Sequence, residues 1–301
     1  MDLVVNIPTI PKPGETLLGG VFNTYAGGKG ANQAVAAARM GAKVSMIGVV
    51  GKDSFGTELL ECMDAENIDR RFVRIDPDLS TGVALIQVNG SGDNSIAVAQ
   101  GANFCLTNED IEIAFDAIGS FDALIMPLET PVEQVYQSAK LASEMGAKVF
   151  LNPAPAQFLD KNLLQFVDVL LPNEYEVGIL TTDNANPKEA DLSSSAKEIL
   201  SLGVANLLVT LGNQGSTLFN EHWPNGKNIP AFDVQASDTT AAGDCFVGTF
   251  AVGMQEGKSM IEAAEFASAA AAISVTRAGA QTSLPYRNEV ETFLSERSQQ
   301  K

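Results

Sequence analysis

Short apolar runs alternate along the chain with amphipathic or alanine-rich stretches. AKVSMIGVV precedes FGTELLECMDAENI, DALIMP precedes PVEQVYQSAKLASEMG, and further apolar runs are KVFLN, DVLLPN and ANLLVTLG. Runs of this length favour buried strands, and the stretches between them have the spacing of helices. The alternation predicts an α/β fold with a Rossmann-like, mostly parallel sheet and helices on both faces.

Two segments break this alternation and favour a second, smaller sheet. From about Asp2 to Tyr25 the chain is rich in Pro, Gly, Thr and β-branched residues, and residues 81–100 form two apolar runs around the turn sequence NGSGDN. We predict lid strands at about 3–22 and 83–99, over the carboxyl edge of the core sheet, where open α/β folds bind ligands. Because no long linker separates the runs, we predict a single domain over residues 1–301.

The composition argues against several classes of function. A hydrophobic fraction of 45% is enough for a large core. The formal net charge of -18 repels phosphate backbones and anionic lipid, so we expect neither nucleic acid nor a membrane as the main partner. The simpler interpretation of the charge is a solvated acidic surface.

Cysteine and histidine are too scattered for a disulfide framework or a zinc site. Cys62, Cys105 and Cys245 form no CxxC pair, which favours a reducing, cytoplasmic location. His222 is the one histidine, and we predict that it is a surface residue of a turn-rich stretch. Chemistry that needs two histidines is therefore excluded.

The segment SDTTAAGDCFVGTFAVG, residues 237–253, combines small residues with the start of a helix. Ala241, Ala242 and Gly243 precede Asp244, and apolar residues recur behind them at helical spacing. Backbone N–H groups at a helix N-terminus bind anions, and a kinase would use them for the transferring phosphoryl group. Asp244 would accept a proton from the attacking hydroxyl. The alternative is that Asp244 only complements the helix dipole.

A second glycine-rich turn lies in YAGGKGANQAVAAARMG, residues 25–41, and lacks the spacing of a Walker A loop. It exposes amides at Gly27 and Gly28, with Lys29 and Asn32 near the first turn of an alanine-rich helix. Converging donors and acceptors of this kind suit a neutral polyol. Taken alone, the pattern is also typical of an ordinary turn.

Two further segments suit a nucleotide site but also have simpler interpretations. In LLPNEYEVGIL, Asn173 and Glu176 lie on one helix face and suit the waters around Mg²⁺, although such a pair is also typical of a helix cap. In VTLGNQGS, residues 209–216, a strand ends in a glycine-rich loop that is either a nucleotide contact or a plain turn. Local sequence favours the helix cap for Asn173 and Glu176, and it leaves the alternatives open for the loop.

The order of the motifs resembles the ribokinase branch of the PfkB carbohydrate kinase family over nearly the whole chain. GGKGANQA, LNPAPA, PNEYE, TLGNQG, DTTAAGD and TRAGAQTS occur in this order. GGxxxN and AAGD elements are general in the family, whereas GGKGANQA, STGVALI, LNPAPA and GAQ resemble its ribokinase branch. The resemblance implies transfer of phosphate from ATP, with Mg²⁺, to the 5-hydroxyl of D-ribose in ribose catabolism, with Asp244 as the base.

The resemblance also implies the sugar site and the anion hole. The sugar would be held, next to Asp244, by residues of the chain start, the GGKGANQA segment and LIMPLETP, which are Asp2, Gly28, Lys29, Gly30, Ala31, Asn32 and Glu129. One carboxylate, such as that of Asp2, can accept hydrogen bonds from two vicinal hydroxyls. Ala241, Ala242 and Gly243 would hold the transferring phosphoryl group.

Nucleotide and potassium sites are implied in the same way. ATP would lie along Asn173 and Glu176, with Gly243 at the phosphates and Ser268 near the adenine, where ribokinases commonly have His or Asn. The loop at the nucleotide would be Thr210, Leu211, Gly212, Asn213, Gln214 and Gly215. An activating K⁺ would be held beside the anion hole by Asp238, Thr240, Ser274, Arg277, Gly279 and Ser283. The alternative for TRAGAQTS is a turn and a strand.

The beginning of the sequence departs from the family pattern. PfkB kinases normally carry an apolar strand that ends in GSxN directly before the aspartate that matches Asp2, and here only Met1 precedes it. We expect the reading frame to extend about 10 to 16 residues upstream, enough for one strand at about 3.3 Å per residue. The alternative is that the core sheet lacks one strand or that another segment replaces it.

Two kinds of alternative function stay open. Another PfkB kinase would act on a different pentose, a deoxyribose or a nucleoside, whereas a sugar-binding sensor would have lost catalysis. Asp244 and the Asn173/Glu176 pair argue against the sensor. We also expect a homodimer that pairs lid on lid, because the lid strands have an apolar face and unpaired edges.

Overall fold

The structure, a computed structural model, describes residues 1–91, 94–181 and 191–298 of the 301-residue chain. Its strands and helices, in chain order, are β1 (Asp2–Asn6), β2 (Val21–Tyr25), α1 (Lys29–Arg39), β3 (Ser45–Gly51), α2 (Ser54–Ala65), β4 (Asp69–Asp76), β5 (Val83–Val88), β6 (Asn94–Ala99), α3 (Asn108–Ile118), β7 (Ala123–Met126), α4 (Val132–Glu144), β8 (Lys148–Leu151), α5 (Lys161–Leu164), β9 (Val169–Leu170), α6 (Glu174–Thr181), α7 (Leu192–Ser201), β10 (Asn206–Thr210), β11 (Ser216–Phe219), β12 (Lys227–Ile229), α8 (Ala242–Gln255), α9 (Met260–Ser274) and α10 (Arg287–Ser298).

The core has the α/β layering expected from the sequence. Six strands lie in the order β12-β11-β10-β9-β8-β7, parallel from β7 to β10 and antiparallel beyond. Successive residues of β8 point to opposite faces, so Val149 and Leu151 join a buried cluster with α3 and α4, and Phe150 joins another with α8 and α9. Burial on both faces explains why the strands read as continuous apolar runs.

The core layer consists of two sheets, which refines the prediction of one mostly parallel sheet. β3 pairs in parallel with β4, and this pair forms a sheet of its own. Val49 of β3 and Met126 of β7 nevertheless belong to one buried cluster, and α1 contacts both strands. The two sheets therefore lie in one layer with a slot between β3 and β7, whose sides include Met46, Gly48 and Leu124.

A separate four-stranded sheet, hereafter the lid sheet, is built from the two segments outside the βα alternation. Its order is β2-β1-β5-β6, with β1 parallel to β5 and the other neighbours antiparallel. The β5–β6 hairpin was predicted, although Gly92 and Asp93 of its turn lie outside the described residues. Val4 and Ile96 line the large cavity of the molecule, whereas Leu85 lies on the opposite face and is exposed.

Helices α1 and α8 pack closely, and a glycine makes their approach possible. A Cβ added at Gly248 would lie 2.5 Å from the backbone oxygen of Gln33. Only glycine fits there, so the residues one turn earlier on α8 are held against α1.

Cys62, Cys105 and Cys245 are free thiols, and the side chain of His222 is 77% exposed. Within the described ranges, none of the helices combines the length and the apolar character needed to span a bilayer.

Candidate active site

The turn before α1 gathers polar groups from three parts of the chain. Gly28 precedes the helix with a φ of 91°, a conformation that favours glycine. The backbone N–H of Lys29 donates to Glu129 Oε2 at 2.8 Å. A Cβ at Gly27 would lie 2.2 Å from Asp2 Oδ2, so the glycine lets the Asp2 carboxylate lie against the turn. These candidates for sugar binding thus share one site.

The N-terminus of α8 faces the same site. The helix begins at Ala242 after Ala241, which has a φ of 57°, and Asp244 lies in the first turn. In an α-helix the N–H groups of this turn have no partner within the helix. Apart from its chain neighbours and its own helix backbone, no atom of the described residues lies within 4 Å of a Cβ added at Gly243, so the space on that side of the residue is open. The N–H of Ala242 donates to the Thr239 oxygen at 3.3 Å, and that of Gly243 lies in the first turn of the helix. Whether this helix N-terminus binds an anion stays a prediction.

Two side-chain amides of α1 hold the Asp244 carboxylate. Asn32 Nδ2 donates to Oδ2 at 2.9 Å, and Gln33 Nε2 donates to Oδ1 at 3.0 Å. The Oδ1 atom of Asn32 is buried and has no partner among the described residues. A ligand hydroxyl is one group that would satisfy it.

Carboxyl groups outnumber cations in this site. Burial raises the pKa of Asp244, Asp2, Glu129 and Glu176. Burial opposes the charge of Lys29 as well, but the surrounding carboxylates, that of Asp244 first, leave the pKa of its ammonium raised. The site therefore holds two cationic groups, Lys29 and the terminal amine of Met1, among four acidic side chains, an arrangement that favours binding of further positive charge.

Asn173 and Glu176 form a helix cap and also lie near the acidic site. The N–H of Asn173 donates to Glu176 Oε2 at 2.7 Å, and the N–H of Glu176 donates to Asn173 Oδ1 at 2.8 Å. The cap that local sequence favoured is thus formed. Lys29 and Asp244 both influence the Glu176 carboxyl, and Asn173 pairs with Thr210 in a parallel β-bridge.

The remaining nucleotide candidates are spread along β10 and α9. Residues 212–214 form a short 3₁₀ turn, and Gly215 has a φ of 93°. A Cβ at Gly215 would lie 2.1 Å from the Ile229 oxygen, so packing alone explains that glycine. Ser268 is buried in α9. Neither Ser268 nor the loop belongs to the cavity lined by Asp244 and the sugar candidates.

The candidate cation site joins two distant segments. Asp238 Oδ1 accepts hydrogen bonds from the N–H and hydroxyl of Thr240, at 2.9 and 2.6 Å, and its Oδ2 accepts from the N–H of Gly279 at 2.9 Å. Burial acts against the ionised carboxyl, but these bonds lower its pKa. The hydroxyl oxygens of Ser274 and Ser283 lie 3.0 Å apart. The alternative interpretation of TRAGAQTS was a turn followed by a strand. In the structure the segment forms a turn followed by a 3₁₀ helix.

Sequence reasoning missed two residues of the site. Gln33 and Asn152 are buried, and their amides meet beside Asp244. Each belongs to a quoted motif, GGKGANQA and LNPAPA, and the available signal was a polar residue among buried neighbours. Their contacts span more than a hundred residues, which no local pattern encodes.

Comparison with known proteins agrees with this fold and site. The family model described as pfkB family carbohydrate kinase matches residues 1–287, and the chain belongs to that family. Within the family it is similar to ribokinases. It is 43% identical to the ribokinase of Haemophilus influenzae over 97% of this chain and 95% of that relative.

Two further similarities bear on the substrate. A structure of Arabidopsis thaliana ribokinase complexed with ribose and ATP matches with a TM-score of 0.85 and 33% identity, covering 97% of this chain and 95% of that one. The deoxyribokinase of Salmonella typhi is 36% identical over 98% of this chain and 96% of its own length. Fold and family were therefore predicted correctly from sequence.

Proposed function

We propose that the protein transfers the γ-phosphoryl group of ATP to the 5-hydroxyl of D-ribose, giving ADP and D-ribose 5-phosphate. The observation that carries this proposal is the carboxylate of Asp244 beside the free N-terminus of α8, in one cavity with Asp2, Lys29 and Glu129. The similarity to ribokinases, one of them complexed with ribose and ATP, supports the choice of substrates.

Asp244 is the base in this proposal. Its carboxylate accepts the proton of the 5-hydroxyl as the oxygen attacks the γ-phosphorus. The N–H groups of Ala242 and Gly243 bind the oxygens of the transferring group, on which negative charge is spread in the transition state. For Ala242 this contact replaces the hydrogen bond of 3.3 Å that its N–H donates to the Thr239 oxygen. Ala241, in its left-handed conformation, sets the direction of these N–H groups.

The sugar is bound by groups with complementary hydrogen-bonding capacity. Asp2 and Glu129 supply acceptors for hydroxyl groups, and the Lys29 ammonium supplies a donor. The unpartnered Oδ1 of Asn32 supplies one more acceptor at the buried end of the site. The Gly28, Gly30 and Ala31 backbone leaves room for the ring because these side chains are absent or small.

ATP lies along Asn173 and residues 210–215 in this proposal, with Gly243 at the phosphates and Ser268 toward the adenine. Mg²⁺, when bound, neutralises charge on the phosphates. The donor set fits this ion, because Mg²⁺ keeps most of its waters and needs few protein ligands. Glu176 uses Oε2 in the helix cap, so Oε1 is the atom that we assign to a metal-bound water.

A monovalent cation beside the anion hole is part of the same proposal. The ligands would be Asp238, the carbonyls of Thr240, Ser274, Arg277 and Gly279, and Ser283. The hydrogen bond from the N–H of Gly279, after α9, to Asp238, just before α8, supports it. Replacing K⁺ by Na⁺ or a bulky organic cation at saturating Mg²⁺ should lower the rate, and an unchanged rate would contradict the site.

We also propose a homodimer formed through the lid sheet. Phe22 and Leu85 are both more than half exposed on the lid face that points away from the cavity. Leu85→Lys should give a monomer in sedimentation analysis. Ile113→Lys is the matched control, because Ile113 is similarly exposed but lies on α3. A wild-type monomer would contradict the dimer.

An ATP-consumption screen over D-ribose, 2-deoxyribose, fructose and ribonucleosides tests the proposed function. We expect the highest kcat/KM with D-ribose and a product phosphorylated at the 5-position, as determined by NMR. A preference for 2-deoxyribose would instead favour the activity of the similar deoxyribokinase. Binding of sugar without turnover would favour the sensor.

A further inference from the structure

Gln33 and Asn152 connect Asp244 to the core sheet through a chain of hydrogen bonds. Gln33 Nε2 donates to Asp244 Oδ1 at 3.0 Å and to Asn152 Oδ1 at 3.2 Å. Asn152 Nδ2 donates to the backbone oxygen of Leu171 at 2.8 Å. The chain therefore runs from the carbonyl directly after β9 to the carboxylate on α8.

The far end of this chain dictates the orientation of both amides. A backbone carbonyl only accepts hydrogen bonds, so Asn152 must turn Nδ2 toward Leu171 and Oδ1 toward Gln33. Gln33 must then turn Nε2 toward Asn152, and the second N–H of that nitrogen points at Asp244. A flipped Gln33 would bring an amide oxygen against both Asn152 Oδ1 and a carboxylate, which repel it. The network thus guarantees a donor at Asp244.

This orientation leaves one polar atom of Gln33 without a partner. Its Oε1 is buried and accepts no hydrogen bond from the described residues. A buried acceptor without a hydrogen bond destabilises a fold, and an apolar side chain of similar size would fill the space without that cost. Packing alone therefore does not explain a glutamine at this position, whereas the N–H held against Asp244 does.

We propose that Gln33 and Asn152 are positioning residues that fix the carboxylate of Asp244 in one orientation for proton acceptance. This inference rests on the proposed function. Asn32 donates to the other oxygen at 2.9 Å, so both carboxylate oxygens are held while lone pairs remain for the hydroxyl proton. The close approach of α1 and α8 at Gly248 brings the amide of Gln33 within reach.

The same hydrogen bonds favour the ionised base. Burial raises the pKa of Asp244, and Lys29 and the amides of Asn32 and Gln33 lower it. The charged groups that interact with this carboxyl are Lys29, Asp2, Glu129 and Glu176. Removing the Gln33 donor should therefore raise the pKa of Asp244.

The test is the pH profile of Gln33→Leu, measured with D-ribose and saturating ATP. We expect the acidic limb of kcat to move to higher pH by about one unit, the shift that corresponds to a tenfold change in proton affinity. At pH values below the midpoint of the acidic limb, the kcat of the variant should be about tenfold lower than that of wild type, and it should recover in part at higher pH. The KM for ribose should stay near the wild-type value. Asn152→Ala, which leaves Gln33 in place but frees its amide to rotate, should shift the limb in the same direction by less.

Asn220→Leu is the matched control, because Asn220 is a buried amide with hydrogen bonds at the end of β11. It should lower the melting temperature and leave the acidic limb unchanged. An acidic limb of Gln33→Leu that coincides with wild type would overturn the positioning role, and if that variant does not fold, a coincident limb of Asn152→Ala would do so. A wild-type protein inactive on ribose and related sugars would refute the proposed function instead.

Discussion

Asp244 lies where the free N-terminus of α8 meets two amides of α1, and its role as base can be tested by removing its basicity alone. We expect Asp244→Asn to lower kcat by about 10²–10⁴-fold, the usual contribution of a positioned general base. Binding of ribose and ATP, measured by calorimetry, should stay close to wild type because the side chain keeps its size. A wild-type kcat for Asp244→Asn would contradict the assignment of Asp244 as the base.

Gly243 allows the anion hole to be tested separately from the base. Apart from its chain neighbours and its own helix backbone, no atom of the described residues lies within 4 Å of an added Cβ. Alanine is favoured over glycine in a helix by up to about 1 kcal/mol. Gly243→Ala should therefore keep or raise the melting temperature. Its methyl group would enter the space beside the N–H groups, so kcat should fall and the KM for ATP should rise. Unchanged kinetic constants would mean that the phosphoryl group binds elsewhere.

Single residues were predictable from sequence where a local pattern encodes their place. Asp244 follows two alanines and a glycine at a helix start, and the structure has that helix beginning at Ala242. Gln33 and Asn152 were not predicted, because their importance depends on a contact between segments that are far apart in the chain. Whether the predicted residues bind ribose, ATP and K⁺ stays a prediction.

The junction of α10 with the ends of α1 and α8 provides a pH-dependent test at the level of elements. Arg287 bridges Glu256, which ends α8, and donates to the Met40 oxygen after α1 at 2.9 Å. Arg287 first, and Lys258 as well, lower the pKa of Glu256 to about 2. Because this pKa is lower in the folded protein, the pair stabilises the fold above the ordinary pKa of glutamate, and the stability is lost as the pH falls toward 2.

Glu256→Gln should therefore lower the melting temperature near pH 7 by a modest amount, since the pair is partly exposed and screened by salt. The melting curves of variant and wild type should converge in acid. Thermal unfolding followed by circular dichroism across pH 2 to 7 measures this. A difference that stays constant with pH would show that the ion pair is not its cause.

The positions of helices and strands were easier to predict from the sequence than the pairing of the strands. The run KVFLN and the stretch starting at IEAAEF correspond to β8 and α9, because periodicity reports burial and burial follows the element. This periodicity is the same for every buried strand, so it carries no information about which strands pair with each other. The separation of β3 from β7 was therefore not visible in the apolar pattern.

At the scale of the whole molecule, the slot between β3 and β7 leaves each of these strands with a paired neighbour on one side only, within the described residues. It forms part of a cavity of about 1800 Å³ that Met1 also lines. The terminal amine of Met1 donates to the Gly82 oxygen at 2.9 Å. A strand placed in the slot would pair with exposed backbone on both sides, a gain of several kcal/mol against a total stability of about 5–15 kcal/mol.

We expect a protein extended at its N-terminus by an apolar strand of about 10 to 16 residues to melt higher and to bind ribose more tightly than the 301-residue chain. The control is an extension of equal length made of glycine and serine, which has low strand propensity. Calorimetry and the KM for ribose provide the measurements. Equal values for the apolar extension and the unextended chain would mean that the slot takes no strand.

Amide hydrogen exchange would provide an independent view of the slot between β3 and β7. Exchange normally slows from the surface of a protein toward its central strands, because opening a central strand requires breaking the core. β3 lies inside the core layer, between β4 and β7, yet it has a paired neighbour on one side only. Its N–H groups alternate between β4 and the opposite side, where the N–H of Gly51 donates to Thr81 Oγ1 at 2.9 Å. Every second amide from Ser45 to Val49 should therefore take up deuterium as quickly as one at a sheet margin. The 301-residue chain would then have fast-exchanging amides in a strand inside the core layer, while the amides of β8 exchange slowly.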